Sequence, residues 1–274
     1  MLIATNDNVI DKTILMNRFL LNFAYNGIAY KGLQVQPGQK TIQATLEKAL
    51  KKVLCEDVKT TLSGRTDTGV HALDQLVQFN LKTDKAINRA KDNKIILQLN
   101  GVLPEDISVI YVKVAKKGFD VRKHAKKKTY VYHILVSKQK NPFLNDLIWR
   151  LPKPVDLNAM KKAAKHLVGK KDFTTFCAVD SYATNKVREL LRIQFKTTCP
   201  FPMFKLKNEK YISIEFTGNG FLKQMIRNIV GTLVEVGQDK RSPSDIKKLL
   251  KAKDRTQAGV CAPARGLYLK KVYY

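Results

Sequence analysis

One short stretch gathers a carboxylate, a guanidinium and an imidazole: GRTDTGVHA, Gly64 to Ala72. Asp67 sits there between two glycines and close to Arg65. A carboxylate can serve as a covalent catalyst, and a nearby guanidinium favours its ionised form. The same residues also suit an ordinary turn, in which Asp67 and Thr66 hydrogen-bond the local backbone and Gly64 and Gly69 take positive φ. His71 is a general base by type, but here it reads as a packing or hydrogen-bonding residue. Neither GxGxxG nor GxxxxGK[ST] occurs in this stretch, so it is not a phosphate loop.

The surrounding elements place this stretch between strands. Phe19, Leu21 and Phe23 alternate with Leu20, Asn22 and Ala24 as a strand does, and Asn26-Gly27 marks a turn. Thr41 is an N-cap, with Ile42, Leu46, Ala49, Leu50 and Val53 at helical spacing behind it. Strands are predicted at Val58 to Leu62, Gln75 to Leu81 and Ser108 to Ala115, and a helix from Ala86 to Leu99.

The second half has the same ingredients. A strand is predicted at Tyr130 to Val136. A helix follows from Asp156 with Leu157, Met160, Ala164, Leu167 and Val168 as its apolar face and Gly169 as its stop. Strands at Val187 to Lys196 and Lys210 to Phe216 lead to a helix from Phe221 to Val236, with Phe221, Met225, Ile229, Val230 and Leu233 inward. Ser242-Pro243 opens another helix, and Leu267 to Tyr273 forms a final strand. The order implies an α+β fold of two related α/β halves, 18–120 and 121–274, with mainly antiparallel sheets flanked by helices. Residues 1–17 form an N-terminal extension.

Composition narrows the partner. The chain has 274 residues, 44% of them hydrophobic, enough for one substantial core or two modest ones. Lys and Arg number 50 against 23 Asp and Glu, a net charge of +27 that draws polyanions. Lysine enrichment that merely solvates a surface explains part of this charge. No apolar run of eighteen residues is present and the N-terminus does not resemble a secretory signal, which points to the cytoplasm. Cys55, Cys177, Cys199 and Cys261 are scattered, with no CxxC pair or adjacent histidine, so they read as reduced thiols and no metal ligand set is expected.

GRTDTGVHA resembles the catalytic motif of the tRNA pseudouridine synthase A family, GRTDxGVHA. FAYNGIAYKGLQVQPGQKTIQATLEKAL, KKTYVYHI, NGFLKQMIRNIVGTLVEVG, KAKDR and ARGLYLKKVYY resemble further family segments in the right order, from about Arg18 to Tyr274. The resemblance implies two related halves meeting at an active-site cleft, a homodimer, no cofactor, and uridines 38, 39 and 40 of the tRNA anticodon stem-loop as substrates. It also assigns roles. Asp67 is the nucleophile and Arg65 fills the space left by the extruded nucleotide. Tyr130 stacks on the uracil, Arg227 pairs with Asp67, and Leu267 lines the pocket. The chemistry fits these roles, because a stacked base must be flipped out at a cost of a few kcal/mol before it is reachable. The N1 to C1′ bond then breaks and C5 joins C1′, with no redox step, hydrolysis or metal required. The sequence does not choose between attack on the sugar carbon, attack on the ring and a glycal route.

Arg122, Lys127 and Lys128 are read as RNA contacts, the last two within the basic run KHAKKKTY. Asp120 departs from the family's histidine or asparagine and sets a negative charge beside Arg122; Asn26 and Leu33 also depart, at positions not read as catalytic. Two other classes fit parts of the sequence. A silent RNA-binding protein needs only the charge and Tyr130, and a metal-dependent nuclease needs clustered carboxylates that the chain does not display.

Overall fold

A computed structural model describes residues 17–274. The expected extension, residues 1–17, lies outside the described residues apart from Asn17. The chain divides into two compact units, one running through Ala125 and taking in Tyr274, the other Lys126–Tyr273.

The first unit is built on strands β1 (Arg18–Tyr25), β2 (Thr60–Leu62), β3 (His71–Asn80) and β4 (Ile107–Val114). β1 lies between β3 and β4, β2 pairs with β3, and all three pairings are antiparallel. The simple alternation expected of β1 is not its burial pattern: Phe19 through Phe23 are buried without a break. Three helices belong to this unit: α1 (Ile42–Leu54), α2 (Asp84–Lys91) and α3 (Ile95–Val102). Thr41 caps α1 by accepting from the Ala44 amide, and Ile42, Leu46, Ala49, Leu50 and Leu54 are buried along it. Leu54 takes the inward place expected of Val53, which is half-buried.

The single helix expected over 86–99 is two. Asp92 is extended at ψ 134°, and its carboxylate accepts the Lys94 amide at 2.8 Å. An Asx turn of this kind competes with helical hydrogen bonding and breaks the run. β3 also starts earlier than expected, at His71, so the end of the GRTDTGVHA stretch is already strand.

In the second unit the strand order is β10 (Leu267–Tyr273), β5 (Lys127–Val136), β9 (Lys210–Gly218), β8 (Val187–Lys196) and β7 (Gly169–Asp172), with β6 (Trp149–Leu151) parallel to β5. Its other pairings are antiparallel. Helices α4 (Leu157–Lys165), α5 (Met225–Gly237) and α6 (Asp245–Ala252) pack on this frame. Asp156 caps α4, accepting from the Asn158 and Ala159 amides at 2.7 and 3.1 Å. α4 ends before Gly169, which at φ 99° opens β7 instead of stopping the helix. Val168 is correspondingly exposed and Leu157 half-buried.

α5 starts at Met225, not at Phe221, because Gln224 is left-handed at φ 58°. Every residue of α5 except Arg227 and Glu235 is buried, on all sides of the helix. A helix buried on nearly every side belongs inside a domain, so α5 runs within its unit, its buried surface interrupted at Arg227 and Glu235.

Candidate active site

The Asp67 loop is held from below and from above. At its base the Ser63 amide donates to Leu76 O at 3.0 Å, the Ser63 hydroxyl to Gln75 Oε1 at 2.6 Å, and Gln75 Nε2 to Gly64 O at 3.2 Å. Gln75 is fully buried, so these bonds form out of water, where leaving either group unpaired costs about 1–3 kcal/mol. Above, the Tyr25 and Thr66 hydroxyls share a buried hydrogen bond of 2.7 Å, and the Leu33 amide donates to Thr66 O at 3.2 Å. Burial pushes the Tyr25 phenol far up, which keeps it neutral and able to donate.

Thr66 therefore points inward while its neighbours do not: Arg65 is exposed and Asp67 half-buried. A turn closed by the Val70 amide on Asp67 O, 3.2 Å, follows directly, with Gly69 at φ 75°. His71 is 1% exposed and its Nδ1 accepts from the Gly27 amide at 3.2 Å, the hydrogen-bonding role read for it from the sequence. Gly27 is required by contact: a Cβ there would stand 2.0 Å from Val70 O. Of the turn reading, Gly69 takes the positive φ expected of it and Gly64 does not, and the Thr66 hydroxyl bonds Tyr25 instead of the local backbone; Thr66, Gly69 and His71 fasten the loop that carries Arg65 and Asp67.

Arg122 is exposed in a turn beyond β4. Asp120 Oδ1 accepts the Arg122 and Lys123 amides, each at 2.8 Å, and those backbone bonds, the Lys123 amide foremost, hold its carboxyl below the usual range. The charge that departs from the family pattern is engaged in capping a turn.

Tyr130, Arg227, Leu267, Lys127 and Lys128 lie in the second unit. Side chains alternate along a strand, so Lys128, Tyr130 and Tyr132 share one face of β5 and Lys127 points to the other. Tyr130 is buried, its ring edge-on to Phe221 at 5.1 Å between centroids. Leu267 stands opposite Tyr132 and Leu269 opposite Tyr130 on the neighbouring β10. Lys127 lies over the Tyr273 ring, 4.8 Å from its centroid, and Lys128 faces Val272 and Gly218 across the ladders.

Arg227 is brought to the segment before β10. Its Nε donates to Ala262 O at 2.7 Å and its own carbonyl accepts the Ala262 amide at 3.2 Å. The Tyr132 hydroxyl donates to Pro263 O at 2.7 Å, and a Cβ on Gly266 would meet the Tyr132 ring at 2.7 Å. Residues 262–266 are thereby clamped between α5 and β5. Burial raises the Tyr132 phenol well above its ordinary value, while the positive charges of Arg227 and Arg265 act in the opposite sense. Two guanidiniums thus bear on one buried phenol. Arg265 was not singled out in the sequence; its place directly before Gly266-Leu267 was the available signal. From the sequence Thr66 takes only a turn role and Tyr25 no role of its own. Among the described residues no group of three or more His, Cys, Asp or Glu could hold a metal ion, and no helix is long and apolar enough to cross a membrane.

Comparison with known proteins adds to this geometry. Residues 163–274 match the family model described as tRNA pseudouridine synthase. A tRNA pseudouridine synthase A from Thermoanaerobacter sp. (strain X514) is 39% identical over 259 residues, 94% of this chain and 100% of the relative. The proteins of that name from Thermotoga sp. (strain RQ2) and Bacillus velezensis are 39% and 38% identical, each over 94% of this chain and 100% and 99% of the relative. At that identity and coverage the chain belongs to the tRNA pseudouridine synthase family.

Proposed function

We propose that this protein isomerises uridine to pseudouridine in tRNA, at positions 38, 39 and 40 of the anticodon stem-loop, with Asp67 as the nucleophile. The single observation that carries the reading is the Asp67 loop: a half-buried carboxylate on a turn fastened by buried hydrogen bonds through Thr66 and His71. Such fixing keeps a reacting group in place without reorganisation at the moment of reaction. Family membership supplies the reaction class.

The target nucleotide leaves the stack, and the exposed Arg65 guanidinium enters the space it vacates. Tyr130, with Leu267 on the neighbouring strand, provides an apolar wall for the extruded uracil. Asp67 acts covalently while the N1 to C1′ bond breaks; uracil turns, C5 joins C1′, the C5 proton leaves and N1 is protonated. Mass is unchanged. Arg227 is the catalytic cation, and Arg122, Lys127 and Lys128 contact phosphates. A homodimer, a cytoplasmic location and no cofactor complete the reading.

Unmodified tRNA transcripts incubated with wild type or Asp67→Asn, and mapped by carbodiimide labelling and primer extension, test it. Conversion in the anticodon arm by wild type alone is expected. Binding without conversion by either protein refutes the isomerase and promotes a silent RNA-binding role.

A further inference from the structure

A depression of about 490 Å³ opens on the second unit where the end of α4, β7 and α6 come together. Its wall includes Lys165, His166, Lys171, Asp172, Lys247 and Lys251. Lys247 and Lys251 are four residues apart on α6 and so project from one face a turn apart. Lys171 comes from β7 and Lys165 from the last turn of α4. The acid among them is already engaged: Asp172 accepts the Thr174 hydroxyl at 2.6 Å and the Thr174 amide at 3.0 Å, and pairs with Lys253 at 3.1 Å. Lys248 pairs with Asp245 at 3.0 Å.

Four ammonium groups around one concavity oppose folding by mutual repulsion. Helix dipoles offset part of that, since a cation in the last turn of a helix is favoured by the carbonyl end of the dipole. This accounts for Lys165 and Lys251, which lie in the final turns of α4 and α6. It does not account for Lys171 on a strand or for Lys247 in the first turn of its helix, where the dipole is unfavourable to a cation. A polyanion seated in the depression removes the repulsion for all four.

We propose that this depression is a docking site for the phosphodiester backbone of the tRNA substrate, an anchor made by Lys165, Lys171, Lys247 and Lys251. The inference rests on the tRNA reading above. Ammonium groups bind phosphates as point charges without reading bases, so the anchor strengthens binding uniformly across tRNA sequences and leaves the choice of uridine to the Asp67 site.

The test replaces the four lysines together by Gln and, separately, by Arg, and measures binding of an unmodified tRNA transcript across a salt series, with thermal unfolding of each variant. For the Gln variant the slope of log affinity against log salt becomes shallower by about two to four, near one per lost phosphate contact. Affinity at about 0.1 M salt falls at least roughly tenfold, KM rises with it, and Tm does not fall. The Arg variant retains wild-type affinity. A folded Gln variant with wild-type slope and affinity overturns the proposal, and so does equal loss in the Gln and Arg variants, which marks a structural role. Binding needs no turnover, so a wild type that binds tRNA with the expected slope but converts no uridine refutes the isomerase while leaving the anchor supported.

Discussion

Tyr25 at the end of β1 and Thr66 in the GRTDTGVHA loop share a buried hydrogen bond of 2.7 Å, immediately before the proposed nucleophile. Tyr25→Phe deletes that bond and keeps the ring. The expected cost is about 1–2 kcal/mol of stability. A loosened loop should lower kcat about tenfold, since small displacements of a reacting group are expensive. Steady-state kinetics on tRNA, beside unfolding curves, check both numbers; an unchanged kcat would separate the bond from catalysis.

Glycines divide sharply by what surrounds them. A Cβ at Gly27 would meet Val70 O at 2.0 Å, and one at Gly231 would meet Val260 O at 1.7 Å. Both obstacles are backbone, so Ala at either site forces a main-chain shift costing roughly 1–3 kcal/mol or more. Gly101, inside α3, has nothing within 4 Å. Gly101→Ala should therefore stabilise by about 0.5–1 kcal/mol through helix propensity. Calorimetry on the three variants gives two drops in Tm and one rise.

Arg227 makes a directed bond from Nε to Ala262 O as well as carrying charge. Lys keeps the charge but has no planar fork, so Arg227→Lys is not conservative. We expect kcat to fall about a hundredfold while the protein stays folded, from loss of orientation in the clamped 262–266 segment. Near wild-type kcat in the Lys variant would show that charge alone suffices.

Asp120 gives a pH dependence with a definite sign. Its carboxyl is held below the usual range, chiefly by the Lys123 amide. A depressed folded-state pKa contributes stability that is present above the unfolded carboxylate pKa and is lost as pH falls through the folded value. Acidification through the carboxylate range should open the 120–124 turn. Asp120→Asn keeps an acceptor oxygen but does not titrate, so the acid-side loss attributable to this turn should vanish. Amide hydrogen exchange at Arg122 and Lys123 from pH 6 downward reads the difference.

Much of this was legible in the chain itself. Thr41 as N-cap, the apolar face of α1, the strand at 130–136 and the final strand from Leu267 follow from local rules, because caps, periodicity and β-branched runs act over a few residues. The GRTDTGVHA stretch could be singled out, and Asp67 proposed from it, because a motif of nine residues is local too. What the sequence could not carry is pairing at long range. The unbroken burial of Phe19 through Phe23 in β1 and of most of α5 is set by what packs on both sides of each, so their own periodicity misleads. The break at Asp92 depends on one side chain outcompeting the helix for an amide. Tyr25 with Thr66, 41 residues apart, and Arg227 with Ala262, 35 residues apart, become partners only when the backbone folds. The lysines around the α4, β7 and α6 depression were ordinary surface charge in the sequence; bringing 165, 171, 247 and 251 to one concavity is a property of tertiary structure, because charge is written residue by residue and a field exists only once the chain is folded.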